Sequence, residues 1–129
     1  MVMVDELLQV TDQTATSSFC ILPDNIFVDE GNFTEPGLIE NIAQTAAAMV
    51  GYQCMLRQVP VPVGFIAAVK DLKVTAVPQM QTVIQTQVMV TNNVLDITIV
   101  EGRVEQSGKL LCSCEMRILL QKDGSGVKN

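Results

Sequence analysis

The sequence contains no histidine and no tryptophan, and only one of its 129 residues is a tyrosine. Histidine is both the commonest base near neutral pH and the commonest metal ligand in proteins, so its absence removes a large class of sites. The cysteines also form no C-x-x-C pair, which leaves a zinc site without support. We therefore expect no metal site, and we expect reduced, buried thiols at all four cysteines, which are Cys20, Cys54, Cys112 and Cys114.

Positive charge is missing from the first part of the chain. All eight Lys and Arg residues lie at or after position 57, and the net charge is −6. Such an acidic chain is poorly suited to nucleic acid. The absence of any run of roughly 18 residues free of strongly polar groups argues against a membrane span. The start "MVMVDELLQV" is acidic, unlike a secretory signal, so the sequence predicts a cytoplasmic protein that binds neither nucleic acid nor membrane.

The length and composition indicate one domain. Of the 129 residues, 48% are hydrophobic, which is enough to build a substantial core. Only the last stretch, "KDGSGVKN", is typical of a flexible tail. We predict a single domain over residues 1–121 and a flexible C-terminal tail over residues 122–129.

One long helix is predicted in the first half of the chain. Thr34 can cap it, and Glu35 and Pro36 suit its first turn. The helix should continue to about Arg57, where "VPVP" ends it. It is almost wholly apolar, so it needs to be covered on most sides.

The rest of the chain predicts an antiparallel sheet. "QTVIQTQVMV" alternates cleanly, and the strands that follow it are separated by the turn signals "TNNV" and "QSGK". In "LDITIVEGRVEQ", Leu95, Ile97 and Ile99 fall on one face and Gly102 indicates a bulge. The predicted class is α+β, with the sheet curled around the helix and an open sheet edge that pairs with a second copy.

A carboxylate and an amide interrupt the apolar helix one turn apart. Glu40 is the only charged residue between Glu35 and Arg57, and Gln44 follows it at helical i+4 spacing. The N–H groups near Gly37, at the helix start, could polarise a carbonyl oxygen. The three features together favour acid–base chemistry beside a carbonyl group. The other interpretation is a hydrogen-bonded dimer contact.

The segment "PGLIENIAQTAAA" resembles the central helix of hot-dog fold 3-hydroxyacyl-acyl carrier protein dehydratases, which carries the pattern L-x-E-x-x-A-Q after a glycine. This resemblance implies a helix wrapped by a curved antiparallel sheet, a dimer or higher homo-oligomer, and an acyl thioester substrate. The substrate would be carried on the phosphopantetheine of acyl carrier protein or on CoA, with no other cofactor. It also implies catalysis by Glu40 and substrate binding by Gly37, Gln44 and Phe33.

The family's mechanism needs a histidine before the helix, and this chain has none. Asn25 falls at about the family's histidine position, but an amide cannot take a proton at neutral pH. Asn25 could hold a thioester by hydrogen bonds or could simply be a turn residue.

Three functions remain open at this point. The first is a dehydratase-like protein of a fatty-acid or polyketide-type pathway with weakened or altered activity. The second is an acyl-CoA or acyl carrier protein thioesterase that uses Glu40. The third is a non-catalytic acyl-thioester-binding subunit that pairs with a histidine-bearing relative.

Overall fold

A computed structural model of the protein describes residues 1–121, so the tail predicted at 122–129 lies outside the described residues. Within them the chain forms one long helix and eight strands. In chain order these are β1 (Glu6–Val10), β2 (Thr14–Cys20), β3 (Val28–Asp29), β4 (Asn32–Phe33), α1 (Glu35–Arg57), β5 (Val63–Val74), β6 (Val83–Val94), β7 (Ile97–Gln106) and β8 (Lys109–Gln121).

Six strands form one antiparallel sheet in the order β1-β2-β6-β7-β8-β5. The remaining pair, β3 and β4, forms a short hairpin just before the helix. The helix packs on the inner face of the large sheet and contacts several of its strands. This arrangement confirms the predicted α+β class, in which a hot-dog sheet wraps one central helix.

The helix has the bounds that its sequence predicted. Thr34 holds the N-cap position, Pro36 lies in the first turn, and Gln58 ends the helix in a left-handed conformation. The role expected of Thr34 was wrong in one respect, because its hydroxyl does not cap the helix. It donates instead to the carbonyl of Phe27 at 2.8 Å and so ties the preceding loop to the helix start. Among residues 1–121, no helix is long and apolar enough to cross a membrane.

Alternation along the strands separates the buried face of the sheet from its outer face. In β6, Ile84, Thr86 and Val88 are buried, as predicted. In β8, Cys112 and Cys114 are buried, as predicted for all four cysteines, but Cys20 at the end of β2 is only half-buried. The buried residues of β7 are its even-numbered ones, which are Thr98, Val100, Gly102 and Val104. The apolar odd-numbered residues of β7, Ile97 and Ile99, are half-buried, and Leu95 lies in the turn before the strand.

Two local predictions in β6 and β7 were wrong. Gly102 is not a bulge, because it pairs regularly with Val88 on β6 and with Cys114 on β8. The hairpin turn does not lie at "TNNV", which continues β6, but at the next two residues, Leu95 and Asp96, where Leu95 takes a left-handed φ of 55°. The predicted turn at "QSGK" is confirmed by positive φ angles at its two central residues.

Buried polar side chains tie the helix to the sheet. Asn41 is fully buried and its Oδ1 accepts a short hydrogen bond from the hydroxyl of Thr86 on β6. One turn further along the helix, the hydroxyls of Thr45 and Ser17 are 2.8 Å apart. These contacts satisfy polar groups that would otherwise be costly to bury.

Candidate functional site

Glu40 and Gln44 form a hydrogen-bonded pair in the first half of α1. The Nε2 of Gln44 donates to Oε2 of Glu40 at 3.1 Å, and both residues are half-buried. The i+4 spacing places them on one side of the helix, as the sequence predicted. The amide therefore holds the carboxylate in a defined position at the border between protein and solvent.

The N-terminal segment, residues 1–4, lies directly beside this pair. Gln44 Oε1 accepts from the N–H of Met3 at 2.7 Å, and Gln44 Nε2 donates to the carbonyl of Met1 at 2.7 Å. Asn41 Nδ2 donates to the carbonyl of Met3, also at 2.7 Å. Sequence reasoning missed these contacts, because nothing local in "MVMV" indicates side-chain partners about forty residues away in the chain.

Asn25 is buried on the other side of Met3. Its Oδ1 accepts from the N–H of Phe27 at 2.9 Å, a contact typical of a turn. Its Nδ2 lies 3.4 Å from the sulfur of Met3. Asn25 and Gln44 are thus brought together through Met3. A role for Asn25 in binding a thioester stays a prediction.

Gly37 and Phe33 pack against each other at the start of the helix. A Cβ on Gly37 would lie 2.7 Å from Phe33 Cζ and 2.8 Å from Phe27 Cβ, so only glycine permits this contact. The Phe33 ring is fully buried and meets the Phe27 ring edge-on, with ring centroids 6.5 Å apart. The first backbone hydrogen bond of the helix is donated by the N–H of Leu38, so the N–H of Gly37 lies before it. Substrate binding by Gly37 or Phe33 stays a prediction.

An apolar groove runs along the second half of the helix. It lies between α1 and the strands β5, β7 and β8. Among its lining residues are Ala43, Ala46, Ala47 and Val50 from the helix and Phe65 and Ile118 from the strands. The residues that line this groove were not predicted, although the stripe of alanines in "AQTAAAMV" is a signal for them.

The groove begins one helical turn after Glu40. Ala43 and Ala47 lie on its wall, three and seven residues after the glutamate. The N-terminal segment contacts the helix on the opposite side of Glu40, at Asn41 and Gln44. The carboxylate therefore lies between an apolar groove and a row of side-chain amides.

The inward-facing thiols take no part in this arrangement. Burial raises the pKa of both Cys112 and Cys114 from 9.0 to about 11, and the charge of Glu35 adds to the effect at Cys112. A protonated thiol is a poor nucleophile and a poor metal ligand. Catalysis by Glu40 stays a prediction.

Solved structures resemble this chain in fold. The dehydratase heterocomplex ApeI:P from Xenorhabdus doucetiae matches with a TM-score of 0.86 and 15% identity, over 95% of this chain and 84% of that one. A hypothetical thioesterase protein with coenzyme A from Streptococcus pneumoniae TIGR4 matches with a TM-score of 0.72 and 10% identity, over 91% and 85%. At these identities the likeness concerns the fold alone.

Sequence comparison is more specific than the structural likeness. No curated protein sequence matches the chain. The family model described as ApeP-like, ApeP dehydratase, matches residues 1–127, which is nearly the whole sequence. The chain, a hot-dog protein with a helix glutamate and no histidine, therefore belongs to the ApeP-like family.

Proposed function

We propose that this chain is the acyl-thioester-binding subunit of a 3-hydroxyacyl dehydratase whose histidine comes from a partner chain. The observation that carries the proposal is the Glu40–Gln44 pair on the same helix as an apolar groove whose wall begins at Ala43, in a sequence without histidine. The groove suits an acyl chain, and the carboxylate suits proton transfer at its head. The substrate is carried on acyl carrier protein or CoA, in a fatty-acid or polyketide-type pathway.

In this reaction each proton has a defined donor and acceptor. The partner's histidine removes the α-proton of the 3-hydroxyacyl thioester, and the electron pair left behind forms the new carbon–carbon double bond. The bond from C3 to its hydroxyl breaks as the carboxyl group of Glu40 passes a proton to the departing oxygen, which leaves as water. Gln44 is a positioning residue that holds the carboxyl group toward C3. Transfer of the proton from histidine back to Glu40 resets the site.

The outer edge of β5 is the surface best suited to the partner. Among the described residues, β5 pairs only with β8 and leaves its other side open. This edge is unusually apolar, with half or nearly half of the side chains of Val63, Phe65 and Ile66 exposed. Because Phe65 and Ile66 also line the groove, a chain docked here would complete the groove's open side. The similar Xenorhabdus protein is a dehydratase heterocomplex, which supports pairing of this chain with a different chain.

The proposal is tested by assaying 3-hydroxyacyl thioesters on carrier protein and on CoA, with enoyl absorbance and free thiol followed separately. The chain alone should form little enoyl product, and its complex with a histidine-bearing dehydratase subunit from the same organism should form it readily. Glu40→Gln in the complex should lower the rate by about 10²–10⁴, as expected for loss of a general acid. Glu35→Gln, in the same helix but exposed, is the matched control and should leave the rate unchanged.

Other outcomes would favour the competing functions. Free thiol without enoyl product would indicate a thioesterase that uses Glu40. Full activity of the complex with Glu40→Gln would remove Glu40 from the mechanism. For Asn25, substitution by histidine should give the isolated chain measurable dehydration, and no gain would reject its assignment to the family's histidine position.

A further inference from the structure

The N-terminal segment is held by side-chain amides instead of a neighbouring strand. Gln44 pairs with the N–H of Met3 and with the carbonyl of Met1, each at 2.7 Å. Asn41 donates to the Met3 carbonyl at 2.7 Å, and Asn25 Nδ2 lies 3.4 Å from the Met3 sulfur. Two side-chain amides of the helix thus hold the backbone of the segment, and a third amide, that of Asn25, contacts the Met3 side chain.

One side chain anchors the segment. Met3 is fully buried in the core, whereas Met1 and Val2 are 62% and 75% exposed. The ladder of β1 begins only later, and Asp5 N–H makes the first backbone bond to β2, at 2.9 Å from Ser18 O. A segment with a single fully buried side chain and a few hydrogen bonds is among the parts of a fold that open most easily.

The contacts of the segment match the chemistry of a pantetheine arm. That arm carries two amide groups joined by short methylene links, and a hydroxyl-bearing carbon separates the first amide from an apolar gem-dimethyl group. The segment likewise presents peptide amides to Gln44 and Asn41 and inserts one apolar group, the Met3 side chain. With the arm in this slot and the acyl chain in the groove, the thioester between them would lie at Glu40.

We infer that the N-terminal segment occupies the slot for the pantetheine arm of an acyl thioester and competes with that arm. This inference rests on the proposed function. The two occupants cannot share Gln44, because its amide oxygen and amide nitrogen are already engaged by Met3, Met1 and Glu40. Binding of the arm therefore requires release of the segment. The apparent affinity for the arm is the intrinsic affinity multiplied by the fraction of molecules in which the segment is released.

The first test is a binding titration of the full chain with two thioethers that cannot be hydrolysed. S-hexylpantetheine has the whole arm, and S-hexyl-N-acetylcysteamine has only the end next to the sulfur. Met3→Ala, which weakens the anchor, should tighten binding of S-hexylpantetheine by about tenfold, because more molecules are open. It should leave the short thioether unaffected. Met55→Ala makes the same chemical change at an exposed methionine of the helix and is the matched control.

Each result of the titration decides a different question. Equal or weaker binding of S-hexylpantetheine to Met3→Ala would overturn the inference and leave the proposed function standing. Failure of both thioethers to bind any form of the chain would overturn the proposed function together with the inference. Tighter binding of both thioethers to Met3→Ala would also overturn the inference, because the arm would not be the cause.

A second measurement uses the protein without any substitution, so it does not depend on whether a variant folds. In a sample with ¹³C-labelled methionine methyl groups, saturation with S-hexylpantetheine should move the Met3 methyl signal to the position of exposed methionines. The amide proton of Met3 should then exchange faster with solvent, although ligands usually slow exchange. A Met3 methyl signal that stays in place while the ligand is bound would overturn the inference.

Discussion

At the scale of single residues, Gly102 sets how closely the helix approaches the sheet. It lies in the middle of β7, buried and regularly paired on both sides. A Cβ at this position would overlap Cγ2 of Ile42 on the helix. The space that a side chain at Gly102 would take is therefore filled by Ile42, whose branched group packs directly on the β7 backbone.

Gly102→Ala should lower the free energy of unfolding by about 1–3 kcal/mol, as overpacking of a filled core does. In an Ile42→Ala background the same substitution should cost much less, since the overlapping atoms are gone. Denaturant unfolding of the two single variants and the double variant measures this coupling. Gly64→Ala, whose Cβ would lie at an ordinary 3.4 Å from its neighbours, is the control. Additive effects of the two substitutions would contradict the proposed packing.

At the scale of secondary-structure elements, the β6–β7 hairpin contains a strained turn. Leu95 has a φ of 55° and is 98% exposed, so its side chain gains no burial in return for a left-handed backbone. L-residues other than glycine, asparagine and aspartate adopt this conformation at a cost of roughly 1–2 kcal/mol.

Leu95→Asn should therefore raise the free energy of unfolding by about 0.5–1 kcal/mol, because asparagine tolerates the left-handed region. Thermal and denaturant unfolding measure the change. Leu22→Asn makes the same substitution at another exposed leucine that lacks a positive φ, and should change stability by less than about 0.5 kcal/mol. A loss of stability in Leu95→Asn larger than in the control would reject the strain.

This turn also illustrates what the sequence could predict. The helix bounds were predictable because Pro36 and the prolines after Arg57 act locally on the backbone. The turn was not, because Asn92 and Asn93 carry the usual turn chemistry but lie in β6, and a leucine takes the left-handed position. Which residues of β7 face inward is set by packing against the helix, and a local sequence pattern carries no information about that packing.

The candidate site divides in the same way. Glu40 and Gln44 were predictable as a pair because helical spacing alone places them side by side. Their contact with Met1 and Met3 depends on where a distant, irregular segment crosses the helix, and no periodicity describes such a segment. Contacts between residues close in the sequence were therefore predictable, and contacts between distant segments were not.

At the scale of the whole molecule, the open edge of β5 should control assembly. Phe65→Lys places a charge on an exposed aromatic residue at that edge and should weaken association by about tenfold or more, as loss of an interface aromatic typically does. Sedimentation equilibrium, with the chain alone and with a histidine-bearing subunit, measures the effect and separates pairing of identical copies from pairing with a relative.

The control for assembly is Val83→Lys, at a similarly exposed position on β6, which has neighbours on both sides. It should leave association unchanged. Phe65→Lys should also leave the thermal stability of the isolated chain nearly unchanged, because the side chain is already half exposed. Undiminished association of Phe65→Lys would show that assembly uses another surface.

The buried hydrogen bonds between helix and sheet have a consequence for orientation. A helix that is apolar almost all round gains nearly the same hydrophobic free energy at several rotations about its own axis. The Asn41–Thr86 and Thr45–Ser17 hydrogen bonds form at only one of them, and any other rotation strands polar groups in the core. These two pairs therefore fix the rotation of the helix about its axis, and with it the direction in which Glu40 faces outward.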